Sequence, residues 1–184
     1  SPVAKNMINT FFFNLNAIKS GQSRPKDVPK YKPQKVGILG AGMMGAGIAY
    51  AQASRGIATV LKDVSLEKAE HGKAYSRKLT QSRVDKGRMN PHDQTALLGR
   101  ITPTADVADL KGCDLIIEAV FENRELKAQV TKEAEGMLAE GGFFASNTST
   151  LPISGLAQAS AKPEKFVGIH FFSPVDKMKL VEII

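Results

Sequence analysis

The stretch from Lys35 to Asp63 constrains this chain more than any other. An apolar run, Lys35-Val36-Gly37-Ile38-Leu39, passes directly into Gly40-Ala41-Gly42-Met43-Met44-Gly45 and then into an alanine-rich helical segment. A second β-branched run follows from Ala58 and ends in Lys62-Asp63. A strand that turns sharply through G-x-G-x-x-G into a helix is the first unit of a doubly wound α/β sheet. The glycines have separate duties: Gly40 permits the tight turn, Gly42 lets backbone approach a pyrophosphate, and Gly45 lets helix and strand pack closely. The hexapeptide alone fits an ordinary glycine turn equally well. Asp63, about 20 residues beyond it at the end of the second strand, shifts that balance, because a carboxylate there accepts bonds from the adenosine ribose hydroxyls. It also repels a 2′-phosphate, so the expected cofactor is NAD rather than NADP, with Lys62 the one nearby group that argues otherwise.

The rest of the chain continues the alternation of short β-branched runs with longer helical segments, the pattern of parallel strands joined by crossover helices. Strands are expected at Lys35 to Gly40, Ala58 to Val64, Ile101 to Thr104, Asp114 to Val120, Phe143 to Asn147 and Phe166 to Phe172. The segment from Leu66 to Arg100 is too long for one crossover, and Gly87 with Asn90-Pro91 divides it into a helical hairpin. The expected fold is Rossmann-type α/β: a doubly wound, mostly parallel sheet with a helical hairpin after the second strand and an antiparallel strand at the C-terminal end.

Ahead of this domain, Val3, Met7, Phe11 and Leu15, with Ile8, Phe12 and Ile18, recur at helical spacing and predict a helix over residues 2 to 18. Prolines 25, 29 and 33 then make an extended connector. The formal charge of +7 is local to this leader: residues 1 to 35 carry seven basic groups against one acid, which leaves +1 for the other 149. A basic leader on a nearly neutral domain is no footprint for a nucleic-acid backbone, and no motif for one accompanies it. No apolar run reaches the roughly 18 residues of a membrane span. A single cysteine, Cys113, permits neither an internal disulfide nor a thiolate cluster, and suits a reducing compartment. No metal site is expected.

Chemistry-bearing residues cluster where parallel strands end. Glu118-Ala119-Val120-Phe121-Glu122 is followed by Lys127 on a helix, and on pattern alone Glu122 and Lys127 fit a solvated ion pair as well as a ligand contact. The polar run Ser146-Asn147-Thr148-Ser149-Thr150 fits a capping loop or a hydroxyl-lined ligand edge. A lone histidine on an apolar strand is more often a satisfied core residue than a catalyst, but His170 has a partner in register. With a turn over Pro174 to Met178 and a return strand over Lys179 to Ile184, His170 and Glu182 lie six positions either side of Asp176 and face each other. Their β-carbons would stand about 4.5 to 5.5 Å apart. A carboxylate holding one imidazole nitrogen leaves the other free to take a proton. On the helical hairpin, Lys73, Ser76 and Arg83 fall near one face, which suits phosphates of a ligand or simply a solvated basic surface.

From Lys35 to Ile184 the chain resembles the NAD-binding domain of L-3-hydroxyacyl-CoA dehydrogenases, in the version found inside multifunctional fatty-acid oxidation α-subunits. The likeness rests on the ten residues from Gly40 to Ala49, Asp114 to Asn123, Ala145 to Thr150 and Gly168 to Met178. It implies reversible NAD-dependent oxidation of an L-3-hydroxyacyl-CoA to the 3-ketoacyl-CoA. In it, His170 is the catalytic base, Glu182 its orienting partner, and Ser149 a hydroxyl near the substrate oxygen and the nicotinamide. The cofactor contacts it implies are Gly40, Gly42, Met43, Met44, Gly45, Asp63, Val120, Phe121, Glu122, Lys127 and Ser149. Ser173, the residue in multifunctional members where many relatives have asparagine, completes the set with a shorter reach. A catalytic asparagine and a helical dimerisation domain are expected beyond residue 184.

The same resemblance makes residues 1–34 a helix and connector following a hydratase domain, and 35–184 the NAD-binding domain. Both ends, Ser1 and the apolar run Leu180 to Ile184, are expected to be cuts in a longer protein. The implied partners are an acyl-CoA substrate and a thiolase subunit, and the implied compartment is the cytoplasm, with the mitochondrial matrix as alternative. A short-chain hydroxybutyryl-CoA dehydrogenase and a non-catalytic NAD-binding domain are the competing readings.

Overall fold

A computed structural model describes residues 1–22 and 24–184, which form two compact units, Ser1–Lys32 and Pro33–Ile184. The first unit is helical: α1 (Pro2–Ile8), a π-helical segment (Asn9–Asn14) and α2 (Leu15–Lys19). Ser1 caps it by accepting the Ala4 N–H at 3.3 Å. The helix expected over 2 to 18 therefore forms, with a widened middle turn at Phe11-Phe12-Phe13 that simple periodicity does not reveal. No helix among the described residues is long and apolar enough to cross a membrane.

The second unit is a seven-stranded sheet: β1 (Lys35–Leu39), β2 (Ala58–Lys62), β3 (Ile101–Thr104), β4 (Cys113–Glu118), β5 (Leu138–Ser146), β6 (Phe166–Phe171) and β7 (Val181–Ile183). Strand order is β3-β2-β1-β4-β5-β6-β7, all parallel except the last pair. The crossovers are α3 (Met43–Ser54), the hairpin of α4 (Leu66–Asp85) and α5 (Pro91–Gly99), α6 (Arg124–Ala134) and α7 (Ile153–Ala157). Gly87 takes φ +64° at the hairpin, and Asn90 caps α5 through the Asp93 N–H, which is how the long segment splits.

Strand alternation sends Val36, Ile38, Leu61, Ile117 and Ala145 into one core with Ile48, Ala49, Ala53 and Leu97 from the helices. Leu39, Val60, Ile116 and Phe144 enter a second core, with Leu110 and Ala134. Burial on both faces is the condition for a parallel sheet. β5 starts five residues before the expected Phe143. Gly141 at φ +77° and Gly142 interrupt the apolar pattern, while pairing continues across them with a register shift, Cys113↔Leu138 and then Leu115↔Phe143. The return strand is shorter than expected, three residues rather than six, and pairs Ile169↔Ile183, His170↔Glu182 and Phe171↔Val181.

Candidate active site

The order reverses between β1 and β4, so the loops leaving these two strands diverge and open a crevice at their carboxyl ends. Gly40 lies there at φ +90°, and its N–H is held by the Lys62 carbonyl at 2.8 Å. A β-carbon at Gly45 would stand 1.8 Å from the Gly40 carbonyl oxygen, so only glycine lets α3 start against the turn. A β-carbon at Gly42 would meet nothing within 4 Å. Its space belongs to the crevice. Gly42 caps α3 without a side-chain bond, which leaves the first N–H groups of the helix available for an anion.

Asp63 closes one end of this loop. Its Oδ2 accepts the Ala41 N–H at 2.7 Å and its Oδ1 accepts the Val64 N–H at 2.7 Å. The carboxylate thus fixes the glycine loop as well as facing the opening with Gly42, Glu67, Lys68 and His71. Lys62, the one group that argued for a 2′-phosphate, is engaged by Glu133 of α6 at 3.1 Å.

At the other end of the crevice, β4 and β5 deliver a buried polar network. Lys127 is fully buried, and its Nζ donates to Glu118 Oε1 and Oε2 at 2.8 and 2.9 Å and to the Asn147 carbonyl at 3.1 Å. It also reaches Glu122 Oε2 at 3.3 Å. The solvated ion pair is ruled out by this burial, and a cofactor contact from the ammonium would have to displace one of these partners. Burial pushes the Glu118 carboxyl up, opposed by the Lys127 charge and by bonds from Lys127, Ser146 and the Val120 N–H. Glu122 goes the other way. Its partial desolvation is outweighed by the Thr148 hydroxyl, Lys127 and the Ser149 N–H, and its carboxyl falls below the usual range.

Glu122 is therefore the anchor of the loop after β5. Its Oε1 accepts the Thr148 hydroxyl, the N–H groups of Ser149 and Thr150 at 3.1 and 3.3 Å, and the Thr150 hydroxyl at 3.2 Å. That settles the polar run as a loop organised by a carboxylate. Ser149 Oγ consequently stands 3.2 Å from His170 Nε2, and His170 Nδ1 stands 2.7 Å from Glu182 Oε2. An ionised carboxylate only accepts, so Nδ1 carries the proton and Nε2 is left as the acceptor beside the Ser149 hydroxyl. The Phe172 ring lies 4.7 Å from the imidazole, tilted at 48° to it. His170 is largely covered, with 19% of its side chain exposed, whereas Glu182 is half exposed.

The remaining expected residues are distributed around this crevice. Ser173 lies beside the glycine loop, its Oγ 3.9 Å from the Met43 sulfur. Met43 and Phe121 are exposed, while Met44 packs against the core and Val120 against the second apolar cluster. Of the three residues placed near one face of α4, Lys73 is half-buried and Arg83 exposed, and only Ser76 is withdrawn from the surface. Ser76 is fully buried with no partner for its hydroxyl among the described residues, because its helix face turns inward with Gly72 and Thr80. Arg83 is tied to the Tyr50 hydroxyl at 3.1 Å. Sequence reading placed Glu118 and Asn147 at the strand ends but gave neither a role in the site. Asn147 accepts the Phe171 N–H at 3.0 Å, next to His170, and so joins the buried network to β6.

Residues 35–184 match the family described as 3-hydroxyacyl-CoA dehydrogenase, NAD binding domain. The chain belongs to this family. It is 40% identical over all 184 residues to a fatty acid oxidation complex subunit alpha of Psychrobacter arcticus, and 39% to that of Psychrobacter cryohalolentis. The chain spans a quarter of the length of each. Among solved structures, (S)-3-hydroxybutyryl-CoA dehydrogenase from Ralstonia eutropha superposes with a TM-score of 0.79 at 38% identity, over 83% of this chain and 54% of that one. 3-Hydroxybutyryl-CoA dehydrogenase from Escherichia coli gives 0.79 at 33% identity, over 83% of this chain and 32% of that one. The residues present fit NAD: the space above Gly42, the uncapped start of α3 and the Asp63 carboxylate suit a pyrophosphate and a ribose with free hydroxyls.

Proposed function

We propose that this chain is the NAD-binding part of an enzyme that oxidises L-3-hydroxyacyl-CoA to 3-ketoacyl-CoA in fatty-acid β-oxidation. The observation that carries the reading is the line Ser149 Oγ, His170 Nε2, His170 Nδ1, Glu182 Oε2, with separations of 3.2 and 2.7 Å at its two hydrogen bonds. NAD, when bound, supplies the acceptor for the hydride that leaves C3 of the substrate. His170 Nε2 takes the proton of the C3 hydroxyl as that carbon becomes a carbonyl. Glu182 stabilises the imidazolium that results, and Ser149 aims the hydroxyl at Nε2. In reduction of the ketone the same imidazolium returns the proton.

Cofactor contact is assigned to Gly40, Gly42, Met43, Met44, Gly45, Asp63, Val120, Phe121, Glu122, Lys127, Ser149 and Ser173, with Lys127 acting through Glu122 rather than at an open surface. From the family resemblance, we assign residues 1–34 as helix and connector from a hydratase domain, with a helical domain after residue 184 closing the substrate crevice. Within such a complex the partner is a thiolase subunit. Cytoplasmic location is supported by the bacterial sources of these relatives and by the unpaired Cys113.

The test is NADH-dependent reduction of acetoacetyl-CoA by the intact enzyme. His170→Ala should lower turnover by about 10²- to 10⁴-fold, the usual contribution of a general base, with NAD affinity nearly unchanged. Turnover at the wild-type level would return His170 to a packing role.

A further inference from the structure

The imidazole–carboxylate pair depends on a weak element. β7 has three residues at the edge of the sheet, and Glu182 is half exposed, so its own packing does little to hold it opposite His170. At its far end the pairing is held by Gly168 and Ile184, each N–H donating to the other's carbonyl at 3.0 and 2.9 Å, and at its near end by the turn between the strands. That turn closes on itself through the Lys177 and Met178 N–H groups, both donating to the Pro174 carbonyl at 3.0 Å. It is then fastened to the body of the domain at two consecutive residues. Val175 is buried against α3, where a β-carbon on Gly47 would stand 2.9 Å from the Val175 β-carbon. Asp176, the midpoint of the hairpin, accepts the Tyr75 hydroxyl of α4 at 2.7 Å across 101 residues of chain.

We infer that Tyr75 and Asp176 are positioning residues, a clamp between α4 and the hairpin turn that sets Glu182 in register with His170. The register argument is geometric. His170 and Glu182 are each six residues from Asp176, and pairing runs outward from the turn through Phe171↔Val181 to His170↔Glu182. A one-residue slip would put Glu182 on the opposite face of the sheet from the imidazole. Val175 alone is an apolar contact and tolerates sliding; a hydroxyl–carboxylate bond at a fixed atom does not. The Tyr75 hydroxyl is a dependable donor, since burial and the Asp176 carboxylate push its pKa up to about 12. The clamp also joins α4, one wall of the cofactor opening through Glu67, Lys68 and His71, to the strand pair that carries the base.

The inference rests on the proposed function only where it concerns turnover. Its structural half is read from the His170 Nδ1–H resonance, resolvable because the protein has three histidines, and from hydrogen exchange of the Glu182 and Ile184 amides. Tyr75→Phe and Asp176→Ala should each broaden the Nδ1–H signal and speed those amides about tenfold, the scale of one lost hydrogen bond, while Ile38 and Ile117 exchange as before. Asp176→Asn keeps an acceptor oxygen and should restore both. The double variant Tyr75→Phe/Asp176→Ala should be no worse than either single change. In the intact enzyme, kcat for acetoacetyl-CoA should fall about tenfold in Tyr75→Phe with KM for NADH unchanged. Wild-type signal and exchange in Tyr75→Phe would overturn the clamp. An altered signal with unaltered kcat would uphold the clamp and overturn the assignment of His170 as the base.

Discussion

Two glycines three residues apart, Gly42 at the cap of α3 and Gly45 in its first turn, separate folding from binding. At Gly45 an added methyl collides with the Gly40 backbone, which cannot move without disturbing β1; at Gly42 it enters open crevice. Gly45→Ala should therefore yield a destabilised or unfolded protein, while Gly42→Ala should keep the wild-type Tm and lose NAD affinity at least tenfold in calorimetry. Unchanged affinity in Gly42→Ala would remove the pyrophosphate from this loop. Asp63 joins an observed duty to a proposed one: its carboxylate binds the Ala41 N–H, and we propose it as the group that excludes a 2′-phosphate. Asp63→Asn should narrow the preference for NAD over NADP and lower Tm together, since an amide offers one acceptor oxygen where the carboxylate uses two. A lower Tm with the preference intact would leave Asp63 as a loop anchor only.

At the scale of elements, the loop after β5 depends on a charge on the loop after β4. Glu122 holds Thr148, Ser149 and Thr150, and its folded-state pKa lies below the ordinary value. The folded form thus binds this proton less readily than the unfolded chain, and stability drawn from Glu122 is complete above the unfolded pKa of about 4.3 and lost as pH falls through the lower folded value. Thermal unfolding of wild type and Glu122→Gln should differ most near neutrality and converge as pH falls below the ordinary carboxylate range; a constant difference would deny the carboxylate its role. This arrangement was only partly legible in the sequence. Strand positions, the hairpin split and the His170–Glu182 register follow from periodicity and turn residues, which act locally or by simple counting. The site's buried half does not. Nothing in the spacing says that Glu118, an acid inside an apolar strand, will meet Lys127 of α6, since that contact exists only once β4, α6 and β5 are packed. Ser76 failed for the converse reason: helical spacing gives a face but not the direction it points, and here that face is turned inward.

For the molecule as a whole, the crevice has the glycine loop on one side and the Ser149–His170–Glu182 line on the other, and the chain covers a quarter of its α-subunit relatives. Ligands of doubly wound folds lie outside the carboxyl ends of the strands, and these residues form an open wall of such a crevice. Ser149 is exposed and Glu182 half exposed in this chain, which leaves both groups in contact with water. Positioning and water exclusion contribute about 7 to 11 kcal/mol of barrier reduction in favourable cases, and an open crevice forfeits much of it. The 184-residue chain should accordingly bind NADH through its glycine loop and Asp63, yet reduce acetoacetyl-CoA at least 10³-fold more slowly than the intact enzyme at equal NADH occupancy. The order of magnitude is that of a few kcal/mol lost from positioning. Occupancy is set first by fluorescence titration, so that a slow rate reports catalysis and not cofactor loss. Comparable rates would mean that Ser149, His170 and Glu182 are sufficient on their own sheet edge, and that enclosure contributes little to this chemistry.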